Sequence, residues 1–239
     1  YHRIRTGQNL IHPHPDLKHA ENFLYMLKGE MPDRIESRAL DVDLILHADH
    51  ELNASTFTAR VAASTLADIY ACVVAATGAL MGPLHGGAAQ KVIEMFREIA
   101  VPWRAEEYVI KKLERKERIM GFGHRVYKNV LDPRVVELRN LARKLAKLKG
   151  SKWFEIAEEV AKAVHKHKGL LPNVDFYSAC IYASLNIPDD LYIPIFAMGR
   201  IAGWTAHIIE QYINNRLIRP RAFYIGQRDR KYTPLRERT

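Results

Sequence analysis

Residues 55–80 read STFTARVAASTLADIYACVVAATGAL, and this stretch sets the fold class. Its pattern of apolar residues predicts one long helix, and its many small side chains allow that helix to pack closely against neighbours. Ser55 or Thr56 is expected to cap the N-terminus, because a hydroxyl oxygen there can accept a hydrogen bond from the first turn. Gly82 and Pro83 then break the chain.

Helical patterns cover almost all of the remaining chain. Residues 15–29 place apolar side chains on one side and stop at Gly29, and Asp132 is suited to cap a helix with Pro133 in its first turn. Strand-like alternation is limited to residues 222–225, without βαβ rhythm or internal repeat. The expected fold is therefore all-α and multi-helical. Helices are predicted at 15–29, 33–50, 55–80, from just after residue 85 to about 99, and at 104–116, 132–148, 152–167, 174–185 and 191–216.

Composition narrows the class of protein. Hydrophobic residues make up 48% of the 239 residues, enough for a substantial core in one large or two small domains. The longest apolar stretches, such as 191–199, are shorter than the roughly 18 residues of a membrane span, so no membrane partner is expected. Cys72 and Cys180 lie in apolar patterns, which favours buried free thiols over a disulfide framework.

The net charge of +9 is concentrated at the C-terminal end. Residues 216–239 hold eight Lys or Arg and two Asp or Glu, which leaves +6 there and +3 on the rest of the chain. Such a basic segment can bind nucleic acid or a membrane surface, or lie across another subunit. No nucleic-acid-binding motif accompanies it, so no nucleic-acid partner is expected.

Three histidines and one aspartate lie in short segments marked by glycine or proline. They are His50 in LHADHELNAS, His85 in GPLHGG, His124 in GFGHRVYKNVLDPR and Asp175 in PNVDFYS. An imidazole can donate a hydrogen bond to a carbonyl oxygen, and a carboxylate can take a proton from carbon. As a set, the four residues suggest acid–base chemistry at a carbonyl compound.

Each of these segments also has an ordinary interpretation. His47 and His50 are predicted to share a helix face, where nearby carboxylates would permit a metal site, but a plain helix end explains them too, and no metal is expected. Residues 121–124 resemble half a dinucleotide fingerprint without a preceding strand. His85 fits an ordinary turn, and Asp175 fits a helix N-cap.

Two arginines and two lysines add candidate anion-binding groups. Arg134 follows His124 by ten residues, so that an arginine fork on a carboxylate and an imidazole on a ketone could hold an α-keto acid. Arg200 interrupts the apolar run FAMGRIAGW, where a buried charge needs a partner or an anionic ligand. Lys166 and Lys168 have the right sign for phosphates, although solvated lysines are the ordinary interpretation.

Six segments resemble citrate synthases in sequence order: LHADHELNASTFTARVAAS, GPLHGGA, GFGHRVY followed by DPR, NVDFYSA, MGRIAGW and RPRAFY. The match covers most of the chain, and the second and third segments are specific as a pair. The version containing ASTF is similar to the short archaeal and bacterial type, which includes 2-methylcitrate synthases. Chains of that family carry a further portion ahead of the point matching Tyr1, so the resemblance implies that N-terminal helices of the large domain are missing.

The resemblance also implies the architecture and the reaction. Residues 1–87 and 188–239 would form a large helical domain and residues 88–187 a smaller inserted domain, in a homodimer. The enzyme, an acyltransferase of the cytoplasm and the tricarboxylic acid cycle, would condense acetyl-CoA with oxaloacetate to citrate and CoA. It would need no metal and no cofactor besides the CoA that carries its substrate. The alternatives are a 2-methylcitrate synthase that uses propionyl-CoA and a non-catalytic helical fragment.

Roles for individual residues follow from the same resemblance. Asp175 would remove the methyl proton of acetyl-CoA, His85 would donate to the thioester oxygen, and His124 would polarise the ketone of oxaloacetate. The carboxylates would be bound by His50, Arg134, Arg200 and Arg219, with Arg219 reaching the neighbouring subunit's site. The expected CoA contacts are Met120, Gly121, Phe122, Gly123, Lys166, Lys168 and Asn173.

Overall fold

The computed structural model describes residues 1–128 and 130–238, and their regular structure is helical. The helices are α1 (His2–Arg5), α2 (His19–Lys28), α3 (Arg34–His47), α4 (Ala54–Ser64), α5 (Ile69–Leu80), α6 (Ala88–Ile99), α7 (Ala105–Glu114), α8 (Pro133–Lys149), α9 (Trp153–Lys168), α10 (Val174–Ser184) and α11 (Tyr192–Ile213). The described residues contain no strand, and the segment 222–225 is irregular rather than paired. The predicted all-α fold is confirmed.

The stretch that sets the fold class forms two helices, α4 and α5, and not the single long helix predicted from its sequence. Leu66 breaks the run with a left-handed backbone, at φ 64°. Asp68 then starts α5, because its carboxylate accepts hydrogen bonds from the backbone N–H groups of Tyr70 at 2.9 Å and Ala71 at 3.0 Å. The chain therefore turns back, and α4 and α5 pack against each other.

Two predicted helix ends also lie elsewhere. Asn53 caps α4, and neither Ser55 nor Thr56 does, since the Asn53 side-chain oxygen accepts from the Thr56 N–H at 3.2 Å. α3 ends at His47, so His50 lies beyond the helix and the two histidines do not share a helix face as predicted. Both changes matter for function, because they free Ser55 and His50 to contact other parts of the chain.

Buried apolar side chains form two clusters. The larger cluster joins α2 and α3 to α6–α10 and the start of α11, and the smaller cluster joins α4 and α5 to the remainder of α11. Cys72 and Cys180 are buried free thiols, as predicted. Helices α2 and α3 thus share a core with residues 88–187, whose status as a separate domain stays a prediction. None of the helices in the described ranges has the length and apolar character to cross a membrane.

Two glycines bring α11 unusually close to the C-terminal end of α3. A methyl group at Gly199 would lie 3.0 Å from the Leu44 carbonyl oxygen, and one at Gly203 would lie 2.2 Å from the Ala48 carbonyl oxygen. The Gly203 N–H donates to that same Ala48 oxygen at 3.0 Å. This close approach carries the intervening Arg200 to the end of α3.

We expect Gly203→Ala to destabilise the protein by about 1–3 kcal/mol, because the added methyl group overlaps a backbone oxygen that cannot move without shifting a helix. Lys144→Ala is the control, since Lys144 is an exposed residue of α8 outside the cavity wall. It should be neutral or slightly stabilising. Thermal unfolding of both variants measures the difference in stability. Equal melting temperatures would contradict the predicted overlap at Gly203.

Candidate active site

A cavity of about 1100 Å³ collects most of the predicted site residues on its wall. Its lining includes His50, His85, His124, Asp175, Arg134, Arg200, Met120, Gly121, Phe122, Gly123, Lys168 and Asn173. These residues come from segments far apart in sequence. The fold therefore brings together groups that the sequence shows only as separate motifs.

His85 lies in the turn between α5 and α6 and is held by the first turn of α4. Its Nε2 accepts a hydrogen bond from the Ser55 backbone N–H at 3.3 Å and lies 2.8 Å from the Ser55 hydroxyl. The turn requires glycine at position 86, where a Cβ would lie 2.7 Å from the Leu80 carbonyl oxygen. Because a backbone N–H can only donate, Nε2 is the acceptor nitrogen of the ring.

The charge state of His85 follows from its surroundings. Burial, reinforced by the positive charge of Arg200, lowers the pKa of His85 to about 4. The ring is therefore neutral at pH 7, and with Nε2 accepting, its proton resides on Nδ1. His85 is thus a neutral hydrogen-bond donor through Nδ1.

His124 is neutral with the opposite tautomer. Its Nδ1 accepts from the backbone N–H groups of Val126 at 3.0 Å and Tyr127 at 3.3 Å. Burial, with a further contribution from Arg134, lowers the pKa of the His124 ring. The proton therefore resides on Nε2, which makes this nitrogen the donor.

His50 packs against His124 in the same wall. Their ring centroids are 5.1 Å apart at an interplanar angle of 84°, and His50 Nε2 lies 3.2 Å from the Tyr127 hydroxyl. Burial and then the charge of Arg134 lower the pKa of His50. Two neighbouring imidazoles with lowered pKa values beside arginines fit a carbonyl compound that bears carboxylates.

Asp175 lies in the first turn of α10 but does not cap it. Asn173 is the N-cap, and its side-chain oxygen accepts from the Asp175 N–H at 3.2 Å, so the alternative interpretation of Asp175 as a cap is wrong. Asp175 Oδ1 is shut off from solvent and has no hydrogen-bond partner among the described residues. Burial raises the pKa of Asp175 to about 6. The result is an ionised carboxylate at pH 7 that is more basic than an ordinary one.

Arg134 is held in place by Asp132, the predicted cap of α8. The Asp132 carboxylate accepts from the Arg134 backbone N–H at 3.0 Å, from Nε at 2.9 Å and from a terminal nitrogen at 2.7 Å. Asp132 is almost fully buried, and its pKa stays below the ordinary value, because the arginine offsets the effect of burial. This fork holds the guanidinium group of Arg134 rigidly on the cavity wall.

Arg200 lines the cavity with a guanidinium group that is only partly paired. Its Nε donates to the His47 carbonyl oxygen at 2.6 Å, and its guanidinium carbon lies 5.0 Å from the centre of the Phe196 ring. One terminal nitrogen is buried without a partner among the described residues. Burial, together with Arg134, lowers the pKa of Arg200 to about 10, so it remains charged at pH 7. A buried cation that is only partly paired favours an anionic ligand.

The loop 120–123 forms another part of the wall and is fixed to the segment before α10. The Gly123 N–H donates to the Leu171 oxygen at 3.1 Å, and the Asn173 N–H donates to the Gly121 oxygen at 2.9 Å. Gly121 has φ +85°, and a Cβ there would lie 2.7 Å from the Phe176 ring. No strand precedes this loop within the described residues, so the dinucleotide interpretation gains no support.

Two predicted site residues lie outside the cavity. Lys166 pairs with Glu106 at 2.7 Å on the surface, whereas Lys168 of the same helix lines the cavity. Arg219 lies in the exposed segment that follows α11. The part of the chain that the structure describes contains no group of three His, Cys, Asp or Glu side chains placed for a metal, and His47 instead donates to the Asp43 backbone oxygen at 2.8 Å.

Three positioning residues were not predicted from the sequence. Ser55 holds His85, the side chain of Asp132 holds Arg134, and Tyr127 contacts His50. Asp132 carried a signal, since a carboxylate two residues before an arginine at a helix start can reach it. Ser55 carried none, because its contact with His85 spans thirty positions in the sequence.

Comparisons with known proteins agree with this geometry. Residues 1–221 match the family described as citrate synthase, C-terminal domain. The chain is 55% identical to citrate synthase 2 of Bacillus subtilis over 239 residues, all of this chain and 64% of that protein. It is 43% identical to 2-methylcitrate synthase 1 of Corynebacterium glutamicum, over 99% of this chain and 64% of that protein.

The likeness extends to three dimensions. A citrate synthase from Thermoplasma acidophilum, solved as a ternary complex with carboxymethyl coenzyme A and oxaloacetate, superposes with a TM-score of 0.90 at 40% identity. The alignment covers 99% of this chain and 64% of that one. The chain thus spans a little under two thirds of the length of these relatives, and it belongs to the citrate synthase family.

Proposed function

We propose that this chain carries the active site of a citrate synthase, which condenses acetyl-CoA with oxaloacetate and releases citrate and CoA. The observation that carries the proposal is the wall of one cavity, where the basic carboxylate of Asp175 meets two neutral imidazole donors and two arginines. His85 donates through Nδ1 and His124 through Nε2. One carboxylate base and two separate donors suit a reaction between two carbonyl compounds.

The first step removes a proton from carbon. Asp175 takes a proton from the methyl group of acetyl-CoA, and the electron pair of the C–H bond moves toward the thioester oxygen. A thioester methyl group is a very weak acid, so the carboxylate alone cannot drive this step. The Nδ1–H of His85 donates to the developing enolate oxygen, and this stabilisation supplies most of the reduction in the barrier.

The second step forms the carbon–carbon bond. The methylene carbon of the enol or enolate attacks the ketone carbon of oxaloacetate, and the electron pair of the C=O π bond moves to the ketone oxygen. That oxygen takes up a proton from solvent to become a hydroxyl group, while Asp175 releases to solvent the proton that it removed. The Nε2–H of His124 polarises that oxygen, while His50, Arg134 and Arg200 bind the carboxylates. Water then hydrolyses the thioester of the resulting citryl-CoA to give citrate and CoA.

The CoA portion is proposed to bind along the loop 120–123 and the end of α9. Lys168 and Asn173 line the cavity beside this loop. Lys166 lies two positions before Lys168 on α9, at the surface. Both lysines have the positive charge that phosphate binding requires. Domain closure over the ligands would exclude water until the carbon–carbon bond has formed. No metal and no cofactor other than this substrate-borne CoA enters the scheme.

A second candidate is the condensation of propionyl-CoA with oxaloacetate. The observation that favours it is the identity of 43% to a protein named 2-methylcitrate synthase 1. The chemistry of Asp175 and His85 would be the same, because a proton is again removed beside the thioester carbonyl. Only the room for one additional methyl group separates the two substrates, and such a difference is worth about 1–3 kcal/mol.

Thiol release from acetyl-CoA and from propionyl-CoA, each with oxaloacetate, tests the proposal. We expect release with acetyl-CoA that depends on oxaloacetate and yields citrate. A higher kcat/KM for propionyl-CoA would establish the second candidate. Absence of release with both substrates, from protein of verified intact mass and fold, would leave the non-catalytic fragment as the remaining interpretation.

The enzyme is proposed to act as a homodimer, in which the basic segment that follows α11 lies on the partner subunit. Several large apolar side chains are exposed along α5 and this segment, including Tyr70 and Val74 on α5 and Phe223, Ile225 and Tyr232 beyond α11. Exposed apolar groups in such number favour burial against another protein. The basic residues between them would then meet the partner's surface and its anionic ligand.

We expect Arg219→Ala to raise the KM for oxaloacetate about tenfold or more, and that for acetyl-CoA much less, because Arg219 is proposed to bind the carboxylate in the neighbouring site. Arg230→Ala, which changes another exposed arginine of the same segment, is the control. Mixed dimers of inactive Asp175→Asn chains with Arg219→Ala chains should regain activity at low oxaloacetate concentration, because one of their two sites then has both Asp175 and Arg219. If they regain none, the shared site is wrong.

A further inference from the structure

Asp43 is a buried carboxylate that the proposed reaction does not use. It lies in α3 and is fully shielded from solvent. It accepts a hydrogen bond from the Ser178 hydroxyl at 2.6 Å and another from the Tyr182 hydroxyl. His47 is the only basic group paired with it among the described residues, with Nδ1 3.5 Å from Oδ2. A buried carboxylate without Lys or Arg is costly and needs a reason.

The donors to Asp43 lie on the helix that carries Asp175. Ser178 and Tyr182 follow Asp175 by three and seven positions on α10, so all three side chains share one face of that helix. Asp43 therefore links this face of α10 to α3 by two hydrogen bonds. Hydrogen bonds fix the rotation of a helix more narrowly than apolar contacts do.

The other end of the network leads to the anion-binding side of the cavity. The His47 ring donates to the Asp43 backbone oxygen at 2.8 Å, and the His47 backbone oxygen accepts from Arg200 Nε at 2.6 Å. The His47 ring also packs on Phe196, with centroids 4.7 Å apart. Asp43 thus contacts the helix of the proposed base through its carboxylate, and the residues beside the proposed oxaloacetate site through its backbone oxygen and His47.

We propose that Asp43 is a positioning residue, whose carboxylate fixes α10, and with it Asp175, against the end of α3. The proposal rests on the function assigned above to Asp175. The titratable and charged groups whose electrostatic effect reaches Asp175 are Asp43 and His47 from α3, Arg134 from α8 and Arg200 from α11. Among these four groups, only Asp43 also accepts hydrogen bonds from side chains of α10, those of Ser178 and Tyr182.

The test compares two serines on α10. Ser178→Ala removes a donor to Asp43, whereas Ser184→Ala removes a buried hydroxyl that contacts Ser151 at 2.9 Å and not Asp43. We expect Ser178→Ala to lower kcat about tenfold or more with little change in the KM for oxaloacetate, because the base is misplaced. Ser184→Ala should keep kcat within about twofold while losing a similar amount of thermal stability. Equal kcat values for the two variants would overturn the proposal.

Asp43→Asn adds a readout that does not require turnover. Removing this negative charge should lower the pKa of Asp175, observed by ¹³C NMR of protein labelled at the aspartate carboxyl carbons and assigned with Asp175→Asn. Ser184→Ala should leave that pKa unchanged, and an unchanged pKa in Asp43→Asn would also overturn the proposal. Absence of thiol release in the parent protein would instead contradict the proposed function, and the NMR comparison would still test the contact. If Asp43→Asn does not fold, Tyr182→Phe replaces it in the kinetic comparison, with the result expected for Ser178→Ala.

Discussion

Replacing Asp175 with Asn is expected to lower kcat at least about a hundredfold, because an amide cannot take a proton from the methyl group of a thioester. The substitution keeps the size of the side chain, so the fold and the KM for oxaloacetate should change little. Thiol release and thermal unfolding are the measurements. Asp41→Asn is the control, since Asp41 is a half-exposed carboxylate on α3 that pairs with Arg38.

The same carboxylate sets the acid side of the pH profile. Burial raises the pKa of Asp175 to about 6, so the side chain is ionised above that pH and protonated below it. The kcat of the parent protein should therefore fall as the pH drops through about 6. A kcat for Asp175→Asn close to that of the parent, with purity verified by mass, would remove Asp175 from the role of base.

Replacing His85 with Ala is expected to lower kcat about a hundredfold to a thousandfold, the usual loss when a donor to a developing oxyanion is removed. The reason is the Nδ1–H, which donates to the thioester oxygen only if Nε2 is the acceptor from Ser55. His12→Ala is the matched control, because His12 is exposed and is not part of the cavity wall. Single-turnover kinetics with both variants would isolate the chemical step.

The pH profile also separates two roles for His85. Its pKa is lowered to about 4, so the ring stays neutral between pH 5 and pH 8 and should add no limb to the profile in that range. An imidazolium acting as an acid would instead lose its proton, and activity would fall as the pH rises. A high-pH limb that disappears in His85→Ala would contradict the neutral donor.

Sequence patterns predicted the helices well wherever the signals were local. The cap formed by Asp132 with Pro133 behind it and the stop at Gly29 lie where they were expected. The division of residues 55–80 was missed because apolar and small residues continue through the break. Asp68 was the overlooked signal, a capping residue whose side chain competes with the helix that would otherwise run through it.

The candidate site was predictable as a set of residues but not as a geometry. Motifs identified the histidines, Asp175 and the arginines, and the cavity brings most of them together. The tautomers of His85 and His124 depend on backbone N–H groups, which no pattern of side chains reveals. Asp43 was missed because a carboxylate inside a helix usually faces solvent, and only the packing of α10 shows that this one does not.

Roles that depend on a second subunit or on ligands stay predictions. Arg219 and Lys166 lie outside the cavity, and their proposed ligands would reach them from a partner subunit or along an extended CoA chain. The assignment of residues 88–187 to a separate domain likewise depends on a movement of these residues between an open and a closed state. Kinetics of mixed dimers address the first point more directly than any single conformation.

The most direct test of the central claim, that Asp175 removes a methyl proton, uses acetyl-CoA with a fully deuterated methyl group. Mass spectrometry of the product formed with oxaloacetate would follow the deuterium. The mechanism predicts citrate that keeps two of the three deuterons of the methyl group, the third having passed to solvent. The reaction should also be slower than with ordinary acetyl-CoA. Release of CoA together with acetate that keeps all three would contradict the account, because the thioester would then have been hydrolysed without any removal of a methyl proton.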